Sequence, residues 1–364
     1  MRSSSKSEGR ERSPVPDPRP VASRLLRWYR KQARDLPWRR TSDPYAVWVS
    51  EIMLQQTQVA TVIPYYRNFL SKYPTVGELA KAPLERVLKV WEGMGYYARA
   101  RNLHRAASIV AERHDGRVPE KVEDLAALPG IGRSTAGAIA SIAFDKEAPI
   151  LDGNVRRVLC RLYAVREIPT LPRIQRRLWE LSEKLVRSGK PGLLNSALMD
   201  LGATVCTPKR PDCSACCLND LCQAHREGIA ETLPAKSPVK KIPHHTVAVG
   251  VIWKNGKILI TRRPENGLLG GLWEFPGGKV ENGETPEVAV AREIREELNL
   301  SVSVEDLIRV VRHAYTHFKI TLHAFHCRHQ GGRIKTELPY RWISPDELNR
   351  HPFPAANRKI IESL

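Results

Sequence analysis

Apolar positions recur at helical spacing through most of residues 21–225, and the pattern changes to strand-like alternation after His245. Between the two, residues 226–244 carry Pro234, Pro238 and Pro243 among scattered lysines and read as a linker. Residues 1–20 are rich in Ser, Arg and Pro without apolar periodicity, and read as a disordered tail. Inside the helical stretch, Asp43-Pro44 offers an N-cap followed by proline at the first helical position, predicting a helix through Thr57. In the strand region, Thr246–Trp253 and Lys257–Thr261 flank Asn255-Gly256, a pair that accepts the positive φ of a tight hairpin. No internal repeat is present. The pattern predicts a multi-domain chain, with an all-α domain over 21–225 and an α+β domain over 245–364.

Composition narrows the partners. No apolar run is long enough to span a membrane, and the N-terminus lacks an apolar signal core. A cytoplasmic protein with no membrane partner is therefore expected. The net charge of +19 is unevenly placed. Residues 245–364 hold 17 Lys+Arg and 14 Asp+Glu, leaving 41 and 25 for residues 1–244. A front half with a net charge of +16 points to a polyanion, nucleic acid before any other.

Four features carry chemistry. Four of the seven cysteines, Cys206, Cys213, Cys216 and Cys222, are spaced C-x6-C-x2-C-x5-C, which suits a cubane iron–sulfur cluster or a tetrahedral zinc. An odd cysteine count argues against a disulfide framework, and Cys217 could stand in for Cys216 on spacing alone. Within Leu128–Ala136, Gly130 and Gly132 bracket a turn that leads into an Ala/Gly-rich helix. Such a turn can aim backbone N–H groups and the positive helix end at a phosphate, holding it without reading sequence. Glu51 lies among Trp48, Ile52, Met53 and Leu54, surroundings that raise a carboxyl pKa and suit a general acid. Asp152, in Ile150–Val155, reads either as the cap of the next helix or as a second functional carboxylate.

The Gly-x-Gly turn between helices, an acidic residue about twenty positions on and the cysteine spacing together resemble the endonuclease III superfamily of DNA glycosylases over residues 21–225. Residues 36–39, 48–57 and 91–97 resemble its MutY branch, whose members remove adenine mispaired with 8-oxoguanine. The resemblance implies a helix-hairpin-helix fold and a [4Fe-4S] cluster module at about 206–222, with Cys216 rather than Cys217 as third ligand. It implies a double-stranded DNA substrate carrying adenine opposite 8-oxoguanine or guanine, handled by a monomer in base-excision repair. Cleaving an N-glycosidic bond requires a protonated leaving base and a stabilised oxocarbenium, a division of labour shared with sugar hydrolases. Glu51 would protonate the adenine ring and later activate water. Asp152 would face the sugar, with Asn154 as a polar orienter. Trp38 and Arg39 match residues near the adenine pocket. In the Gln55-Gln56 pair, Gln56 matches a residue inserted near the vacated site, and Tyr96 one inserted beside the oxidised guanine. Ser134 stands where strand-cutting relatives carry a Schiff-base lysine, so a monofunctional enzyme is expected. Lys209 and Arg210, between Pro208 and Pro211, form a stiff basic loop suited to phosphate. A glycosylase of the same fold with another base specificity is the rival reading.

In the C-terminal part, Gly278-x5-Glu284-x7-Arg292-Glu293-Ile294-x-Glu296-Glu297-x-Asn299-Leu300 resembles the Nudix box, with Asn299 in place of the usual glycine. Asn tolerates the left-handed conformation that a helix end needs. Glu293, Glu296 and Glu297 fall on one helical face, where Mg2+ is the natural cation. MutY proteins end in a Nudix-like domain that recognises 8-oxoguanine. The implied roles are lesion recognition, with hydrolysis of oxidised nucleoside triphosphates and metal binding without turnover as alternatives. Tyr315, Thr316 and His317 resemble the loop that discriminates the lesion.

Overall fold

The computed structural model describes residues 16–236, 242–315 and 318–364. Thr316 and His317 lie outside the described residues, as does most of the stretch read as a tail. The helical part runs through α1 (Pro18–Gln32), α2 (Pro44–Leu54), α3 (Val59–Lys72), α4 (Val76–Lys81), α5 (Leu84–Val90) and α6 (Ala98–Arg113). It continues with α7 (Val122–Ala126), α8 (Arg133–Phe144), α9 (Gly153–Leu162), α10 (Pro172–Val186), α11 (Pro191–Thr204) and α12 (Gln223–Arg226). No described helix is long and apolar enough to cross a membrane.

The chain separates into two compact units that do not follow the sequence halves. One joins the described residues up to Ile52 with those from Val118 onward to the linker, and the other joins Met53–Arg117 with the C-terminal segment. In the first unit, Val21 and Leu25 of α1 pack with Leu159 of α9, Leu178 of α10 and Leu198 of α11, all fully buried. Helix α1 opens at Pro18, inside the stretch read as a tail, because Asp17 accepts a hydrogen bond from the Arg19 N–H at 3.0 Å. The stretch read as a linker is also partly packed: Ala230 and Leu233 are buried with Ala224, against Cys213 and Cys222. Asp43 caps α2 as expected, accepting from Tyr45 N–H at 3.1 Å and Ala46 N–H at 3.3 Å. The helix ends at Leu54 rather than Thr57, because Gln56 takes a left-handed backbone, φ 59°.

The second unit contains a seven-stranded sheet of β1 (His244–Lys254), β2 (Lys257–Arg262), β3 (Trp273–Glu274), β4 (Gly277–Lys279), β5 (Ser301–Ala314), β6 (Lys319–Gly331) and β7 (Tyr340–Ile343). Its main path runs β3-β2-β1-β6-β5, with β1 and β6 parallel. The β1–β2 hairpin turns at Asn255 (φ 51°) and Gly256 (φ 73°), with Lys254 opposite Lys257. Strand alternation divides the core. Val249, Val251 and Ile260 pack with Phe353 and Ile360 of α14 and the segment before it (α14, Ala355–Ile361). Ala248, Ile252 and Leu259 pack with Val290, Ile294 and Leu298 of α13 (Pro286–Leu298).

Within this unit, two carboxylates of the α5 region are gripped by the C-terminal segment. Glu85 accepts from Trp273 Nε1 at 2.8 Å, lies 2.8 Å from His351 Nδ1 and pairs with Arg341 at 3.4 Å. Glu92 accepts from Arg358 Nε at 2.6 Å and Nη2 at 2.9 Å, and from the Phe353 N–H at 2.8 Å. Lys89 pairs with Glu92 at 2.6 Å and donates to the His351 carbonyl at 3.2 Å.

Candidate active site

Glu51 sits in the last turns of α2, a helix whose Tyr45–Ser50 face is wholly buried. Burial, partly offset by the Arg39 guanidinium and reinforced by the Asp152 charge, pushes the Glu51 carboxyl up to about 7. Arg39 is itself held by Asp200, whose carboxylate is fully enclosed and takes Arg34 at 2.6 Å and Arg39 at 3.2 Å. Arg39 also donates to the Tyr29 hydroxyl. Trp38 is buried beside it in the turn before α2.

Asp152 caps α9, accepting from the Val155 N–H at 2.7 Å and more weakly from Asn154 Nδ2 at 3.4 Å. The capping reading of this residue is therefore met. Burial raises its pKa, while these donors oppose the rise by favouring the anion. Burial is the largest influence on both carboxyls, and the hydrogen-bond donors at Asp152 distinguish the second from the first. Gly130 (φ 79°) makes the turn before α8, and Gly132 is that helix's N-cap. The Ser134 hydroxyl, in the first turn of α8, accepts from the Leu151 N–H at 3.0 Å and so supports the stretch of backbone that presents Asp152.

The four cysteines Cys206, Cys213, Cys216 and Cys222 line one cavity with Arg161 and His225, and Cys217 does not line it. Arg161 Nη1 lies 3.2 Å from Cys206 Sγ, and the guanidinium also holds the carbonyls of Thr207 (2.7 Å), Pro208 (3.2 Å) and Leu233 (2.9 Å). Lys209 and Arg210 stand exposed on the loop anchored this way, and neither makes an ion pair among the described residues. Burial pushes the Cys222 thiol up to about 11 and raises Cys206 as well, so thiolates here call for a positive ligand. Arg157, one turn before Arg161, donates to Asn154 Oδ1 at 2.9 Å, the Gly202 carbonyl at 2.6 Å and the Cys206 carbonyl at 2.7 Å. A continuous set of hydrogen bonds therefore runs from Asp152 through Asn154 and Arg157 to Cys206.

The second unit holds the other predicted residues. Gln56 and Tyr96 both have left-handed backbones, φ 59° and 50°. Arg99, only 8 % exposed, donates to the carbonyls of Met53 (2.7 Å), Gln55 (2.6 Å) and Gly95 (3.3 Å) and to Thr57 Oγ1 (2.9 Å). Tyr315 stacks on Phe318 (centroids 4.7 Å apart) with His313 edge-on at 4.5 Å. On α13, Arg292 binds Glu284 at 2.9 Å, Glu293 at 3.2 Å and Glu296 at 3.3 Å. Glu297 is exposed, and Asn299 ends the helix with φ 55°, the conformation expected of it. Gly278 leaves room for the Glu293 carboxyl, which a Cβ there would strike. Among the described residues, no three His, Cys, Asp or Glu side chains already converge on a single-ion site, at Glu293, Glu296 and Glu297 or elsewhere.

Asp200, Arg34, Arg157, Arg161 and Arg99 were not visible as site residues in the sequence. The available signal was a charged residue inside an apolar helical stretch, as at Asp200 in Leu198–Leu201, or a pair of arginines one turn apart, as at Arg157 and Arg161.

A base-excision repair fold followed by a Nudix fold is the class this arrangement defines. Residues 49–184 match the HhH-GPD superfamily of base excision DNA repair proteins, and residues 248–363 match the NUDIX domain. The chain is 38% identical over 393 residues to the adenine DNA glycosylase of Rattus norvegicus, covering 93% of this chain and 76% of that protein. The Homo sapiens adenine DNA glycosylase is 37% identical, with 93% and 72% covered. A solved thermostable thymine-DNA glycosylase superposes with a TM-score of 0.53 at 33% identity, covering 58% of this chain and 97% of that one. The chain belongs to the adenine DNA glycosylase family.

Proposed function

We propose that this chain is a monofunctional glycosylase that hydrolyses the N-glycosidic bond of adenine placed opposite 8-oxoguanine or guanine in duplex DNA, leaving an abasic site. The observation that supports the reading is the carboxyl pair of one unit: burial pushes Glu51 up to about 7, and burial raises Asp152 against opposing hydrogen-bond donors. Protonated Glu51 delivers its proton to the adenine ring as the bond lengthens. Asp152 faces the sugar and offsets the positive charge that develops there, as stabiliser or transient nucleophile. Asn154 fixes the rotamer of Asp152. The anionic Glu51 then takes a proton from the attacking water. Ser134 carries no amine, so no Schiff base forms and the strand stays intact.

A [4Fe-4S] cluster at the cysteine module is supported by the four thiols, spaced C-x6-C-x2-C-x5-C, lining one cavity. When bound, the cluster supplies structural cross-linking and the charge that stabilises the thiolates. Cys206, Cys213, Cys216 and Cys222 hold it, and Lys209 and Arg210 on the adjoining loop meet the phosphate backbone. Gln56 and Tyr96 occupy the stack when the adenine leaves it, and Tyr315, with Thr316 and His317, reads the lesion strand.

The test is to incubate the protein with duplexes carrying adenine opposite 8-oxoguanine, G, C or T and then to treat with alkali. Breaks at the adenine strand only after alkali, strongest opposite 8-oxoguanine, are expected. Breaks without alkali would overturn the role of Ser134. Release of monophosphate from oxidised nucleoside triphosphates with Mg2+ would add hydrolysis to the Nudix unit, at Glu293, Glu296 and Glu297.

A further inference from the structure

Two turns far apart in sequence share one cation. The first follows α2 and contains Gln55 and Gln56; the second precedes α6 and contains Gly95 and Tyr96. Both place a non-glycine residue in the left-handed region, which L-residues avoid unless their surroundings impose it. The Arg99 guanidinium donates from Nη1 to Met53 O and Gln55 O, and from Nη2 to Thr57 Oγ1 and Gly95 O. Its carbon lies over the Tyr96 ring at 5.2 Å and the Trp91 ring at 5.4 Å. Trp91 Nε1 donates to the same Gly95 carbonyl at 3.1 Å, so the second turn is braced from both sides.

We propose that Arg99 is a positioning residue for base extrusion, fixing the spacing and direction of the turns that carry Gln56 and Tyr96 so that both enter the duplex together. The inference rests on the reading that those two side chains insert into the stack. A forked planar guanidinium can satisfy four acceptors arranged around it, which the single point of a lysine ammonium cannot. Lysine at this position keeps the charge and loses the bracing of one turn against the other. Because Arg99 acts through the acceptors of the two turns, its loss should appear where unstacking is costly and fade where the stack is already broken.

The experiment compares wild type, Arg99→Lys, Thr57→Val and Tyr96→Ala as full-length proteins under single-turnover conditions. Each acts on adenine opposite 8-oxoguanine in two duplexes, one flanked by G·C pairs and one with a mismatch beside the target. A 2-aminopurine probe next to the adenine reports extrusion. Arg99→Lys should lose roughly tenfold or more in rate and in the fluorescence step on the G·C-flanked duplex, and regain most of both on the mismatched one. Thr57→Val, which removes one acceptor of the set, should show the same dependence more mildly and serves if the lysine variant does not fold. Equal loss on both duplexes, or no loss on either, overturns the proposal if Tyr96→Ala shows the flank dependence. If Tyr96→Ala itself shows no flank dependence, the insertion reading falls, and with it the basis for the role of Arg99.

Discussion

Replacing Glu51 by Gln tests the electrostatics of the site through stability as well as activity. A carboxyl whose pKa rises from 4.5 unfolded to about 7 folded binds its proton more tightly in the native state. Stability therefore falls as pH climbs from 4.5 to 7 and is level above that, the reverse of a salt-bridged acid. Once fully ionised, the folded protein has given up about 3.4 kcal/mol, at about 1.4 kcal/mol per pH unit. Gln, neutral throughout, gives up nothing. The stability of Glu51→Gln relative to wild type should thus grow by about 2.5 kcal/mol between pH 5 and pH 8, read from urea midpoints at each pH. Activity follows the same group: the wild-type single-turnover rate should fall about tenfold per pH unit above 7, as the acid loses its proton. Asp152→Asn should move that fall to lower pH, and Arg39→Leu to higher pH, because the first charge raises and the second lowers the Glu51 pKa. A stability gap that stays constant from pH 5 to pH 8 would refute the assignment of a raised pKa to Glu51.

Three further outcomes follow from the geometry. Cys216→Ser should abolish the visible absorbance of a bound cluster, while Cys217→Ser should retain it, since only Cys216 lines the cavity. Arg157→Leu strands the acceptors of Asn154, Gly202 and Cys206, so it should cost about 2–4 kcal/mol in denaturant unfolding and slow catalysis with DNA affinity little changed. Replacing Lys209 and Arg210 together by Ala should reduce the slope of log affinity against log salt by about 1.8, with the single-turnover rate at saturating protein unaltered.

Local signals in the chain were strong where they depended on neighbours in sequence. Asp43-Pro44 opened its helix, Asn255-Gly256 turned its hairpin, and Asn299 accepted the left-handed helix end. The end of α2 was misplaced for a physical reason. Nothing in Gln55, Gln56 or Thr57 forbids a helix, and the break accompanies bonds to Arg99, more than forty residues away. The same holds for Asp200, Arg157 and Arg161. Counted as charges they look like surface, but each is buried because carbonyls or guanidinium groups from distant segments meet it. Glu51 was legible because its apolar neighbours lie on its own helix. The course of residues 53–117, which fold with the C-terminal segment, was not, since contacts such as Trp273–Glu85 and Arg358–Glu92 are 188 and 266 residues apart.

The grip of the C-terminal segment on Glu85 and Glu92 makes the chain resistant to modular dissection. A protease cut near residue 240 would separate the sequence into two apparent domains, but it would also take Trp273, Arg341, His351, Phe353 and Arg358 away from two carboxylates just upstream of Tyr96. The shortened fragment would keep Glu51, Asp152 and the cysteines and still lose the cover over its own middle. Gene truncations ending at the linker should therefore behave as folding mutants of residues 53–117, and supplying the C-terminal piece in trans should restore them by reassembly.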